Sequence, residues 1–146
     1  MSFRFSLAGV LRYRESIEQR EYFVLEKLQQ EVNRIDQRIR EVEADYSTAT
    51  QNRAAELAQG IRAAELQATY EYQRALEQQL EALRVRLQEL KTKWSQQLAV
   101  YQLARRNRET LDKLREKQLD VYTREQAKRE QAVIDDLFLS RRGRSQ

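Results

Sequence analysis

The sequence contains no cysteine, no histidine and no proline, and only 3 of its 146 residues are glycine. Without cysteine, the chain has no disulfide framework, thiol nucleophile or thiolate metal site. Without histidine, it lacks the commonest general base and the commonest metal ligand of proteins. So few chain breakers are unusual in a fold with many turns. We therefore predict long helices, with no catalytic, cofactor-binding or metal-binding residue.

Long apolar runs are missing as well. No stretch of about 18 apolar residues is present, so we expect no membrane-spanning helix and no direct membrane insertion. The first residues include Arg4 and lack a continuous apolar segment, which argues against a secretory signal. No P-loop, glycine-rich dinucleotide loop or calcium-binding loop is found. We expect a cytosolic protein that is not an enzyme.

Charged residues are abundant but unevenly placed. They make up 34% of the chain, and the net charge is +4. Residues 1–100 hold 15 basic and 15 acidic side chains, whereas residues 101–146 hold 12 basic and 8 acidic ones. Because acidic residues are mixed in throughout and no groove-reading motif appears, we expect no nucleic-acid partner. The basic excess of the last third fits either a solvated helix face or an acidic protein partner.

The strongest positive feature is a ladder of apolar residues whose spacings alternate between three and four. Its members are Leu76, Leu80, Leu83, Leu87, Leu90 and Trp94. This alternation is the a/d pattern of a coiled coil, with about 3.5 residues per repeat. Such a narrow stripe cannot bury itself, so it requires a second helix with a matching stripe.

The first third of the chain contains that matching stripe. It runs through Leu7, Val10, Arg14, Ile17, Glu21, Val24, Leu28, Val32, Ile35, Ile39, Val42, Tyr46 and Ala49. Arg14 and Glu21 interrupt the apolar series, so pairing is expected to be weaker near the N-terminus. Two steps of four residues meet at Leu28, which predicts a local stutter in the supercoil.

The apolar pattern fades after Ser47, and Gly60 is the glycine best placed to end a helix. We predict an all-α fold, an antiparallel two-helix coiled-coil hairpin over residues 1–146 with a longer, projecting C-terminal helix. Its expected parts are helix 1 at about 6–52, a turn region at about 53–63, helix 2 at about 64–139 and a basic tail at 140–146. One unbroken helix is the alternative, because a single glycine costs a helix only about 1 kcal/mol. That alternative would give an extended dimeric rod.

The hairpin also implies a register between the two helices. With a turn centred near residue 58, the numbers of facing residues add to about 116, so that Val42 faces Leu76. The second helix then outruns the first by roughly 25 residues, or about 40 Å.

Three short segments resemble a known family. Residues 3–7 read FRFSL, residues 10–15 read VLRYRE, and residues 128–136 read KREQAVIDD. The first two are similar to the start of the flagellar export protein family FliJ, and the third is similar to that family's C-terminal pattern of basic and acidic residues. The chain length, the glycine near position 60 and the two stripes agree with the same family.

The resemblance implies a stalk-like coiled coil of the flagellar type III protein export apparatus, similar to the central γ subunit of rotary ATPases. It implies three kinds of partner: the hexameric export ATPase FliI, the export gate protein FlhA, and export chaperones whose cycling the protein assists. It also implies a location in the cytoplasm, peripheral to the cytoplasmic side of the inner membrane.

The family's gate-binding face maps by position onto the half of the hairpin nearest the turn. We call these residues the predicted gate-binding set: Arg38, Val42, Tyr46, Ala49, Tyr72, Leu76, Gln79 and Leu83. Ala49 stands where the family has an aromatic residue. Tyr46 and Tyr72 are the expected aromatic anchors, a role that tyrosine often has in interfaces.

The opposite end of the hairpin is expected to engage the ATPase. The predicted ATPase-contacting set comprises Arg105, Arg106, Arg108, Val133, Ile134, Leu137 and Phe138. The arginines belong to the basic excess, and the apolar residues lack an obvious partner within the chain. Two alternative functions remain open at this stage: a structural coiled-coil protein that homodimerises, and the equivalent stalk protein of a virulence-type injection system.

Overall fold

The computed structural model describes residues 2–144, and these form two helices and no strand. Helix α1 spans Ala8–Gln59, which is 52 residues, and helix α2 spans Ala63–Arg144, which is 82 residues. Glutamine, glutamate, arginine, lysine, leucine and alanine dominate both helices, and these residues lose little conformational freedom in a helix. The chain therefore forms helix almost from one end of the described range to the other.

The reversal of the chain occurs at Gly60. This residue has a φ of +85°, which side chains other than glycine rarely adopt, and it directly follows the last residue of α1. Helix α2 begins at Ala63, and its first turn is joined by a 3.0 Å hydrogen bond from the Leu66 amide to the Arg62 carbonyl. The alternative of one unbroken helix through Gly60 is therefore wrong.

The turn is shorter than the expected 53–63, because α1 continues to Gln59. Thr50, a weak helix former, donates its hydroxyl hydrogen to the Tyr46 carbonyl at 3.0 Å and so satisfies its polar group within the helix. The residues after it are rich in alanine, which favours helix. Helix α2 likewise extends past residue 139 to Arg144, so residues 140–144 of the predicted tail are helical, while 145–146 lie outside the described residues.

The chain divides into two compact units. Unit 1 contains the residues up to Arg20 together with those from Gln102 onward, and unit 2 contains Glu21–Tyr101. Whether the whole chain behaves as a single domain stays a prediction.

In unit 2 the two helices run antiparallel. The rings of Tyr22 and Tyr101 lie 5.8 Å apart, whereas Tyr46, later in α1, bonds to Glu77, earlier in α2. Unit 1 shows the same order, since Glu18 pairs with Arg108 and the Phe3 ring lies 5.6 Å from that of Tyr122. The prediction of an all-α antiparallel hairpin with a longer second helix is confirmed.

The core of unit 2 is the line of side chains where the two stripes meet. Its buried apolar members are Val32, Ile39, Val42, Ala49, Leu76, Leu80 and Leu90. Val42 and Leu90 are the most deeply buried, with 0% and 2% of their surface exposed. Leu83 and Leu87 are half-buried against this line. The stutter expected at Leu28 does not occur there, because Leu25 takes the place predicted for Val24, which is exposed.

The register differs from the predicted one. The cross-helix contacts of unit 2 have residue numbers that add to between 118, for Glu21 with Gln97, and 127, for Glu43 with Arg84. In three of them, Tyr46 with Glu77, Thr50 with Gln73 and Tyr22 with Tyr101, the sum is 123. The predicted figure was about 116, which lies below all of these sums, although Val42 and Leu76 do belong to the same core cluster. The turn is correspondingly centred on residues 60–62 and not near 58.

Unit 1 has a thinner core. Its buried apolar residues are Phe5, Leu11 and Ala104, whereas Leu7 and Val10, both predicted for the stripe, are exposed. Phe5 precedes α1, and its carbonyl accepts a 3.1 Å hydrogen bond from the Ala8 amide. The segment that precedes α1 thus packs within unit 1 as well.

Candidate interaction surfaces

The predicted gate-binding set divides into buried and accessible residues. Val42, Ala49 and Leu76 belong to the core of unit 2. Tyr46, Gln79 and Leu83 are half-buried, while Arg38 and Tyr72 are exposed. A partner that docks on the folded unit 2 therefore meets the accessible residues and not the three core ones.

Tyr72 stands at the edge of an open hollow near the turn. The hollow has a volume of about 320 Å³ and is lined by Ala49, Asn52, Glu56, Ala68, Thr69 and Tyr72. Just over half of the Tyr72 surface, 53%, is exposed. A large aromatic residue beside an open hollow can give a protein partner a contact of substantial area.

Tyr46 contributes to a second, more polar hollow. The residues around this hollow are Tyr46, Arg53, Tyr70, Gln73, Arg74 and Glu77. The guanidinium carbon of Arg53 lies 4.7 Å from the centre of the Tyr70 ring, a cation–π arrangement, and Arg53 also donates a hydrogen bond to the Gln73 side chain. The hydroxyl of Tyr46 donates to Glu77 at 2.9 Å. This hydrogen bond, together with the negative charge of Glu77, raises the pKa of Tyr46 above its ordinary value.

The two hollows lie on opposite flanks of the seam. Tyr70 borders the Tyr46 hollow and Tyr72 borders the other, and side chains two positions apart on a helix point about 200° apart. The structure therefore does not bring the two expected anchors, Tyr46 and Tyr72, onto one face. Tyr46 is committed to contacts within the chain, and Tyr72 is the more accessible of the two.

The three arginines of the predicted ATPase-contacting set have different surroundings in unit 1. Arg105 pairs with Glu109 of its own helix at 2.9 Å, and Arg106 is exposed. Arg108 lies in the seam, where it pairs with Glu18 of α1 at 2.6 Å and with Asp112 at 2.6 Å.

This ion network is the most enclosed group of charges that bridges the two helices of unit 1. The side chains of Arg108 and Glu18 are 25% and 17% exposed, less than those of the other ion pairs described. Glu18 accepts hydrogen bonds from both Nε and Nη2 of Arg108, a two-point contact that holds the guanidinium plane. The bonds to Glu18 and Asp112 raise the pKa of Arg108 further above its ordinary value.

The apolar members of the ATPase-contacting set are exposed on the last part of α2. Val133 and Ile134 are each 57% exposed, Leu137 61% and Phe138 65%. All residues from 127 to 144 are exposed in unit 1, so this part of α2 is not covered by α1. Helical spacing puts these four side chains side by side on one face, and we call them the C-terminal apolar patch. Leu139, which is 62% exposed, points away from that face.

Several partners in these arrangements were not singled out from the sequence. Glu18, Asp112, Gln73 and Glu77 look like ordinary members of polar helix faces when the sequence is read alone. The a/d phase of the second helix puts Arg108 at a seam position, and a charge in a seam signals that an opposite charge faces it. Finding that Glu18 is its partner requires the register between the helices.

One comparison with known proteins decides the family. The family model described as "Flagellar FliJ protein" matches residues 3–146. The chain belongs to the FliJ family. Membership makes it a component of the flagellar export apparatus. No curated protein and no solved structure gives a significant match.

The segments that resemble FliJ have distinct positions in the structure. In the segment 3–7, Phe5 is buried and Phe3 stacks near Tyr122, so the N-terminal FliJ-like segment packs within unit 1. The segment 128–136 lies on the exposed part of α2 and includes the first half of the C-terminal apolar patch. Among residues 2–144, no helix combines the length and the apolar character that crossing a membrane requires.

Proposed function

We propose that the chain is a stalk-like coiled coil of the flagellar type III export apparatus that binds and stimulates the hexameric export ATPase. We further propose that it contacts the export gate protein and assists the cycling of export chaperones, in the cytoplasm and peripheral to the inner membrane. Membership of the FliJ family supports this role. The proposed role is regulatory, and the absence of an enzymatic activity and of a cofactor stays a prediction.

The observation that carries the ATPase proposal is the uncovered end of α2. The N-terminal segment reaches Tyr122 through Phe3, and the helix continues to Arg144 with every residue after 126 exposed. At a rise of 1.5 Å per residue, the stretch from 127 to 144 is about 27 Å long. A single helix that presents four neighbouring apolar side chains to solvent provides a surface that a partner protein can bury.

The basic excess of the chain would favour contact with an acidic surface on the ATPase. Residues 101–146 carry the whole +4 excess, and charge of one sign speeds the encounter with an oppositely charged partner. Arg106 is exposed and is the arginine best placed for this contact. Arg108 is paired with Glu18 and Asp112, so it can contact the ATPase only if these ion pairs break.

The gate contact is proposed for the flank of unit 2 that carries Tyr72. Tyr72 is exposed beside the hollow that includes Ala49 and Ala68. Burying a tyrosine against such a hollow removes apolar area from water and leaves the hydroxyl free for a polar contact. The core residues Val42 and Leu76 shape this flank from inside without touching the partner.

Binding of the full-length chain to the export ATPase tests the proposal. In the variant with Leu137→Ser and Phe138→Ser, binding should weaken at least tenfold, because two neighbouring apolar anchors are lost. Leu139→Ser is the matched control, since it makes the same change to an exposed leucine on the other side of the helix and should bind as the unchanged chain does. Circular dichroism verifies that helix content is equal in all three. Equal binding by all three proteins would reject the C-terminal apolar patch as the ATPase contact.

A further inference from the structure

The repeat pattern of the seam leaves the register between the two helices open. A heptad stripe looks the same after a shift of seven residues, so apolar positions meet again when one helix slides by one repeat. The observed contacts, such as Tyr46 with Glu77, have numbers that add to 123. The register inferred from the stripes alone, about 116, differs by one heptad and matches the apolar positions almost as well. A further interaction is therefore needed to choose between them.

Polar groups within a seam are the usual means of making such a choice, because they meet suitable partners in one register only. In unit 1 the charged seam group is Arg108, which bonds to Glu18 at 2.6 and 3.2 Å and to Asp112 at 2.6 Å. Asp112 lies four residues after Arg108 on α2 and stays beside it in any register. Glu18 lies on α1, so the bond to Glu18 reports on the alignment of the helices.

We propose that the pairing of Glu18 with Arg108 is a register lock, a conformational device that excludes the alignment shifted by one heptad. In the native alignment, the numbers of this pair add to 126. After a slip toward the competing register they add to 119, and Arg108 then meets Leu11, a buried apolar residue. Glu18 loses its guanidinium partner in the same step. An unpaired Glu18, and an Arg108 that keeps only Asp112, are unfavourable in a partly enclosed seam, so the slipped alignment is disfavoured.

The lock acts on specificity more than on overall stability. Replacing an enclosed ion pair by apolar residues of similar volume is often neutral or stabilising, because the charges no longer have to leave water. An apolar replacement should therefore leave the helices folded while it permits the second alignment. The other feature that could set the register is the turn at Gly60, since the left-handed conformation of this residue marks where α1 ends.

Disulfide formation can distinguish the two alignments, because the chain has no cysteine of its own. The pair Tyr22→Cys with Tyr101→Cys, at two positions whose rings lie 5.8 Å apart, reports the native alignment. The pair Tyr22→Cys with Trp94→Cys, seven residues earlier on α2, reports the slipped one. Each pair is placed in the full-length chain, and its oxidation rate is measured at low protein concentration. Monomeric products on a non-reducing gel identify bonds within one chain.

In the otherwise unchanged chain, the native pair should close at least tenfold faster than the slipped pair. With Glu18→Leu and Arg108→Met together, the slipped pair should close within about threefold of the native pair. The charge exchange Glu18→Arg with Arg108→Glu, combined with Asp112→Asn to remove the like charge four residues away, should restore the native preference. The matched control is Arg86→Met with Glu89→Leu, which removes an exposed ion pair within α2 that does not include Arg108 or its partners and should leave the preference unchanged.

Circular dichroism and a thermal melt show whether the apolar variant folds. If it does not, Glu18→Gln serves instead, since it keeps the size of the side chain and removes its charge, and it should raise the rate of the slipped pair at least threefold. A native preference that persists in the folded apolar variant, or in Glu18→Gln, would overturn the proposal and assign the register to the turn at Gly60. A slipped pair that closes rapidly in the unchanged chain would overturn it as well.

Discussion

The hydroxyl group of Tyr46 donates a 2.9 Å hydrogen bond to the carboxylate of Glu77 and so joins α1 to α2 in unit 2. The bond needs the proton of Tyr46, and the negative charge of Glu77 disfavours the tyrosinate. Both effects raise the pKa of Tyr46 above its ordinary value of 10.0. The folded chain therefore holds this proton more tightly than the unfolded chain.

The contribution of this bond to stability should depend on pH. It is fully present below the unfolded pKa, about 10, and is lost as the pH rises through the higher folded pKa. Tyr46→Phe should thus lower the urea midpoint at pH 7 to 9, and the difference from the unchanged chain should shrink above pH 10. Tyr13→Phe, at an exposed position of α1, is the control and should have no effect. A difference that stays constant up to pH 11 would contradict this assignment.

Two leucines of the same ladder should differ in their importance for stability. Leu90 is 2% exposed, whereas Leu83 is half-buried at the edge of the core. Leu90→Ala should lower the free energy of unfolding by about 3 kcal/mol, and Leu83→Ala by about 1 kcal/mol, since a partly exposed site loses less buried area and can collapse. Urea unfolding followed by circular dichroism measures both. Equal losses would contradict the argument that the more deeply buried Leu90 contributes more to the free energy of unfolding than Leu83.

Glycine-to-alanine changes should have opposite effects at two positions. The φ of +85° at Gly60 is strained for alanine, although a Cβ there would meet no atom within 4 Å. Gly60→Ala should therefore cost about 1 to 2 kcal/mol. Gly9 lies in α1, where a Cβ also meets nothing within 4 Å, so Gly9→Ala should stabilise by up to about 1 kcal/mol. Thermal melts of the two variants should shift in opposite directions, and a common direction would refute the argument from backbone conformation.

The fold class followed from the sequence because the stripes, the scarcity of chain breakers and Gly60 all indicate the same hairpin. The register did not, because a heptad pattern repeats after seven residues: the stripe fixes the alignment within one repeat but not which repeats face each other. Val24 and Leu25 show a related limit, since both are apolar neighbours and only the three-dimensional packing selects Leu25. The end of α1 was misplaced because the polar group of Thr50 is satisfied inside the helix.

The candidate surfaces could be predicted only in part. The exposed patch around Leu137 and Phe138 was visible in the sequence, as apolar residues beyond the end of the paired stripe. The separation of Tyr46 from Tyr72 was not, because it depends on which flank of the seam each ring occupies. The same holds for Arg108, whose partner Glu18 is 90 residues away along the chain.

The proposed gate contact leads to a paired prediction for two tyrosines. Tyr72→Ala should weaken binding to the export gate protein by roughly tenfold or more, as expected for loss of an aromatic anchor. Tyr70→Ala removes a ring of similar exposure on the opposite flank and should leave that binding unchanged. Isothermal titration with the purified gate domain provides the measurement, and helix content is the check on folding. Equal losses in both variants would mean that the gate does not distinguish the two flanks.

The most direct test of the proposed function is the rate of ATP hydrolysis by the export ATPase as the full-length chain is titrated into it. The account predicts that turnover rises and saturates with the unchanged chain and with Leu139→Ser. It predicts little or no rise with the variant that carries both Leu137→Ser and Phe138→Ser, and a normal rise with Tyr72→Ala, because the two surfaces are separate. Turnover that does not respond to the unchanged chain, or that responds equally to all four proteins, would contradict the assignment of the exposed end of α2 to the ATPase.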